Sequence, residues 1–98
     1  MPDVREVDPR TLRVSPSRRQ GADPAKLSRQ ISLFGRTAVG MPRPWVYEAA
    51  DGVLVLYDGV TRATRMAKLS PGVMICVEVI GHLPKDCAAE PSIGDLLP

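Results

Sequence analysis

No apolar run in the 98 residues approaches the ~20 needed to cross a bilayer, which excludes a membrane-spanning helix. No basic segment followed by an apolar stretch opens the chain, so no secretory signal is expected. Two cysteines are too few for a disulfide framework and cannot alone hold a structural zinc. The single histidine, His82, excludes a zinc hydrolase or a nuclease that needs paired histidine ligands. Neither a P-loop nor a Gly-x-Ser-x-Gly nucleophile elbow occurs, and there is no internal repeat, heptad or low-complexity tract.

What is present is an ordinary apolar content, 44%, with a formal net charge of only +2. Together these exclude a disordered chain and support one domain over residues 1–98 with one modest core. Its core is expected over about 4–80, with a loop-rich tail over 81–98. The small net charge hides an asymmetry. Residues 5–43 carry eight Arg and Lys26 against only Glu6, Asp8 and Asp23, an excess of six positive charges. Arginine offers a planar donor fork that matches phosphate, although a solvated charged face explains the count equally well.

Val4–Val7 and Thr11–Val14 read as short strands around an Asp8-Pro9-Arg10 turn, followed by a polar loop over 15–21. Asp23-Pro24 starts a helix as N-cap and first-position proline. Leu27, Ile31 and Phe34 form its apolar stripe, and Gly35 supplies the stop. Trp45–Glu48 and Val53–Tyr57 flank Asp51-Gly52, a hairpin signal. A second helix follows Asp58-Gly59, with Val60, Ala63 and Ala67 on one face and Thr61, Arg65 and Lys68 on another. Ser70-Pro71-Gly72 ends it. Val73–Ile80 is apolar with little alternation, which predicts a strand covered on both faces with Cys76 in the core. The order predicts a small α+β fold, a mixed sheet with two main helices.

The segment Leu56-Tyr57-Asp58-Gly59-Val60-Thr61-Arg62-Ala63 carries the most chemistry. A helix starting abruptly after a buried strand presents unpaired N–H groups and its positive dipole end, a natural phosphate site. Gly59 lets backbone approach a ligand closely. Asp58 could cap the helix. Arg62 sits against the dipole, a conflict that an anionic ligand or an ion pair with Asp58 would relieve.

With its helix ending "SLFG", its hairpin around "ADG" and the run "LYDGVTRATRMAKL" before Pro-Gly and an apolar strand, the stretch from about Val4 to Ile80 resembles the ParB/sulfiredoxin-like domain. The resemblance implies that fold, and phosphate binding at the Gly-x-x-Arg helix start. By it Gly59, Thr61 and Arg62, with Arg18 and Arg19 of the Pro/Arg loop, face a nucleotide or nucleic-acid phosphate. Arg65, one turn on, could touch a longer ligand, though a solvated helix face is the plainer reading. Asp58 and Arg62 are the candidate catalytic pair, with Asp58 as general base or ligand to Mg²⁺ or Mn²⁺. No zinc, flavin or haem is expected.

The departures narrow this. Sulfiredoxins place a reactive cysteine where Val60 stands, and Cys76 and Cys87 lie far from the motif in sequence. Partition proteins carry adjacent arginines where Thr61 precedes Arg62, and add a DNA-binding domain for which 98 residues leave no room. The serine-kinase form has histidine at Val60. What remains is a ParB-like nuclease-type domain acting on nucleic-acid or nucleotide phosphates. It would be cytoplasmic, or a toxin module delivered into a target cell with an inhibitor (immunity) protein as partner. The alternatives are a non-catalytic nucleotide or nucleic-acid binding module, a nucleotide-dependent small-molecule kinase, or a protein-interaction domain that has lost the site. Trp45 and Tyr47 could stack on a base, but sheet packing is the stronger expectation.

Overall fold

A computed structural model describes residues 1–15, 17, 20–37 and 39–97. Five strands form one mixed sheet: β1 (Asp3–Val7), β2 (Arg13–Val14), β3 (Trp45–Glu48), β4 (Leu54–Asp58) and β5 (Ile75–His82), in the order β1-β5-β3-β4-β2. β1 runs antiparallel to β5, β5 parallel to β3, β3 antiparallel to β4 and β4 parallel to β2. Helices α1 (Pro24–Phe34) and α2 (Val60–Leu69) pack on each other. The expected small α+β domain with two helices is therefore what forms, and none of its helices is long and apolar enough to cross a membrane among the described residues.

Local chemistry accounts for the elements. Asp23 caps α1 by accepting from the N–H groups of Ala25 and Lys26, Pro24 follows it, and Gly35 ends the helix at φ +55°. The Asp51-Gly52 turn closes the β3–β4 hairpin, with Ala49 N–H donating to Val53 O at 2.8 Å. The core combines Val46, Leu56, Val77 and Val79 of the sheet with Ala63, Met66 and Ala67 of α2. Ile93 joins it with no exposed surface, held by its N–H to Leu12 O at 2.8 Å.

Several expectations are corrected. Residues 9–11 form a 3₁₀ turn because Asp8 caps it and Pro9 presets its φ, which leaves only Arg13–Val14 as strand. β5 alternates buried and half-exposed positions, since helices cover one face of the sheet only. Cys76 therefore points outward and is exposed, whereas Cys87 is buried beside Ala49 and Val55. Phe34 does not complete a buried stripe: in α1 only Leu27 is buried, and Phe34 is half-exposed.

Candidate functional site

The β4–α2 corner is built by one glycine. Gly59 is the N-cap residue of α2, left-handed at φ +102°, and no side chain caps the helix. A Cβ there would lie 2.8 Å from Pro44 Cβ and 3.0 Å from Arg62 Nη2, so only glycine lets Pro44 and Arg62 close over the turn. Asp58 is accordingly not the cap; it closes β4 opposite Trp45. The first-turn N–H groups of Val60, Thr61 and Arg62 have no carbonyl behind them, the first intrahelical bond being Ala63 N–H to Gly59 O at 2.9 Å.

A cleft of about 150 Å³ opens on this turn, lined by Asp58, Gly59, Thr61, Arg62 and, from α1, Lys26 and Gln30. Arg62 Nη2 donates to Asp58 Oδ2 at 3.3 Å, an i, i+4 pair in which the carboxylate is more exposed than the guanidinium. This contact meets the conflict between Arg62 and the helix dipole only in part. The distance is long for a charge-assisted bond, and Arg62 Nε is buried with no partner among the described residues. Thr61 Oγ1 has no partner among the described residues. The corner thus offers free backbone donors, a hydroxyl and two cations, with one carboxylate between them. Such a set has the charge and donors that suit an oxyanion.

Of the residues predicted for the site, Asp58, Gly59, Thr61 and Arg62 come together here, whereas Arg18 and Arg19 lie outside the described residues. The solvated-face reading of Arg65 is corrected. It is 1% exposed, with Nη1 donating to the carbonyls of Gly35 and Thr37 at 2.8 Å and its guanidinium 5.5 Å from the Phe34 ring centroid. It stands outside the cleft at the corner. Burial acts against its charge and lowers its pKa from the ordinary arginine value.

Lys26 and Gln30 were not anticipated; their i, i+4 spacing on α1, off the Leu27–Ile31 stripe, was the available signal. His82 ends β5 beside the far end of β3, paired with Glu48 Oε1 at 3.3 Å, and takes no part in the corner. Tyr47 packs edge-on against Tyr57, ring centroids 5.6 Å apart, while Trp45 is half-exposed beside Asp58. No group of three or more His, Cys, Asp or Glu residues that could hold a metal occurs among the described residues.

The chain was compared with protein-family models, curated proteins and solved structures, and no match was found in any of the three.

Proposed function

We propose that the β4–α2 corner binds a phosphate group of a nucleotide or nucleic acid, as the ParB-like resemblance of the Asp58-Gly59-Val60-Thr61-Arg62 segment implies. The observation that carries this reading is the uncapped α2 N-terminus, opening on a cleft that also holds Arg62 and Lys26. Backbone donors, dipole and guanidinium converge there on the charge and geometry of a phosphate. Lys26 adds charge from α1, and Gly59 keeps side-chain atoms out of the approach.

A second reading, a nuclease-type or other phosphoryl-transfer enzyme, is favoured by Asp58 standing 3.3 Å from Arg62 at the cleft edge. Asp58 could orient an attacking water or accept its proton while Arg62 neutralises developing charge. Mg²⁺ or Mn²⁺ would suit a site with this single carboxylate only if substrate phosphates and waters supplied the other ligands. A bound ion would there supply charge neutralisation.

The test is titration of isotope-labelled protein with ATP, CTP, DNA and RNA oligonucleotides at two salt concentrations. Binding is expected to shift the Val60–Arg62 amides and to weaken with salt. Arg62→Ala should weaken it about ten- to a hundredfold, the loss of a charged hydrogen bond. Absence of binding to all four overturns the proposal. Turnover with Mg²⁺ or Mn²⁺ that Asp58→Ala abolishes would support the enzymatic reading, and binding without turnover would remove it.

A further inference from the structure

α2 carries a second cationic feature, one turn beyond Arg62, that the phosphate corner does not use. Arg65 is fully buried, yet all its partners among the described residues are neutral: the carbonyls of Gly35 and Thr37, and the Met41 sulfur at 3.3 Å from Nη2. Among the described residues no carboxylate lies within ion-pair distance of it. A cation taken out of water is ordinarily paired, because neutral acceptors return only part of its lost hydration.

A cavity of about 230 Å³ lies against this cation, lined by Gln30, Phe34, Val39, Met41, Arg62 and Arg65. Three of these residues bring buried polar atoms with no partner among the described residues: Gln30 Oε1, Arg62 Nε and Arg65 Nε. Arg13 Nε is the one other orphaned donor among the described residues, so the orphans concentrate on this cavity. Arg62 also keeps an uncommitted donor. Its Nη2 is turned to Asp58, while Nη1 has no partner among the described residues. Thr37, Gly40 and Pro42 complete the wall, and no carboxylate lines the space among the described residues. Two guanidinium groups three residues apart on one helix, facing a low-dielectric wall, make a strong local positive potential.

We infer that this cavity binds a small organic anion, with a carboxylate or phosphate-monoester group against Arg62 Nη1 in the field of Arg65. A compact apolar body would lie over Phe34, Val39 and Met41. The volume lies below the roughly 300–1,000 Å³ of drug-sized sites, which limits the ligand to a small body rather than a whole nucleotide. The site shares Arg62 and Gln30 with the phosphate corner but needs none of its free backbone donors.

Labelled protein is titrated with benzoate, phenyl phosphate, inorganic phosphate and benzyl alcohol. The readouts are the side-chain Nε–H resonances of Arg62 and Arg65 and the amides of Val39 and Thr61. Benzoate or phenyl phosphate is expected to move both arginine resonances and the Val39 amide along one saturating curve, the tighter of the two naming the head group. Inorganic phosphate and benzyl alcohol, each lacking half of the recognised chemistry, should bind at least about tenfold more weakly. Val39→Glu places a carboxylate at an exposed position on the rim and should cost about tenfold in affinity with the fold intact. Arg65→Lys should retain binding and Arg65→Met lose it; if Arg65→Met fails to fold, Val39→Glu carries the test. No saturating shift at Arg65 and Val39 with either aromatic anion overturns the inference, as does an equal response to benzyl alcohol. Shifts confined to the Thr61 amide also overturn it while leaving the phosphate corner standing.

Discussion

Gly59 and Arg65 show how differently single residues can be constrained. Gly59 is held twice, by a backbone at φ +102° and by Pro44, itself fully buried. Gly40 also has positive φ, +73°, but nothing lies within 4 Å of where its Cβ would be. Gly40→Ala should therefore cost only the conformational penalty, about 1 kcal/mol. Gly59→Ala should cost about 2–4 kcal/mol, because the overlap with Pro44 adds to the strain. Urea unfolding of the two variants measures the difference, and equal losses would show that Pro44 yields. The abrupt strand-to-helix turn at Asp58-Gly59 was legible in the sequence, but that Gly59 and not Asp58 takes the N-cap position, under Pro44, was hidden from it. So was the burial of Arg65. Its position three residues beyond Arg62 put it on what read as a polar face. Its acceptors, Gly35 O and Thr37 O, stand about thirty residues earlier, on a loop whose return over α2 no local pattern announces.

Among the elements, α1 and α2 hold the two sides of the candidate site by different means. α2 is wedged between sheet and α1, with Val60 and the run Ala63–Ala67 buried. α1 buries Leu27 alone and so depends more on its cap. Asp23 Oδ1 accepts from Ala25 N–H at 2.8 Å and Lys26 N–H at 3.3 Å. Asp23→Ala should cost about 0.5–2 kcal/mol and speed amide exchange in the first turns of α1 ahead of α2. Because α1 presents Lys26 and Gln30 to the cleft, the same variant should weaken phosphate binding there. Hydrogen exchange followed residue by residue checks the order, and uniform acceleration in both helices would show that they open as one unit. The Asp23-Pro24 start, the Gly35 stop and the Asp51-Gly52 hairpin were readable, being local backbone chemistry. The exposed face of β5 was not, because Ile80 on that face, with the exposed Val73 and Met74 just before the strand, imitates a strand covered on both sides. Hydrophobicity reports what a residue tolerates, and the placement of both helices on one face decides what is covered.

For the whole molecule, the excess of positive charge in residues 5–43 is partly paired off instead of gathered for a ligand. Arg5 bonds Glu48 and Asp3, Arg10 bonds Asp8, and Arg43 bonds Glu78. A count along the chain cannot see Glu48 and Glu78 arriving from other strands. These contacts set the response to acid. Arg5, by its hydrogen bonds, holds the carboxyls of Glu48 and Asp3 below their ordinary values, and Arg10 does the same for Asp8. Partial desolvation works against Asp51, but the N–H groups of Val53, Ala88 and Cys87 outweigh it and lower its pKa. Asp95 is lowered by its bonds with Ser92. A carboxylate with a depressed folded-state pKa stabilises the fold fully above its unfolded value, near 4, and loses that contribution as pH falls through the folded value. Thermal midpoints should thus be level from about pH 7 to 5 and fall steadily below about pH 4. Asp51→Asn should flatten part of that acid limb and free the segment around Cys87, because it removes the charge that draws the Cys87 and Ala88 N–H groups onto the hairpin. Melting followed by circular dichroism across the range, with the Cys87 thiol titrated in parallel, reads both effects. Midpoints unchanged down to pH 2–3 would show that these carboxylates are no better placed in the fold than in the unfolded chain.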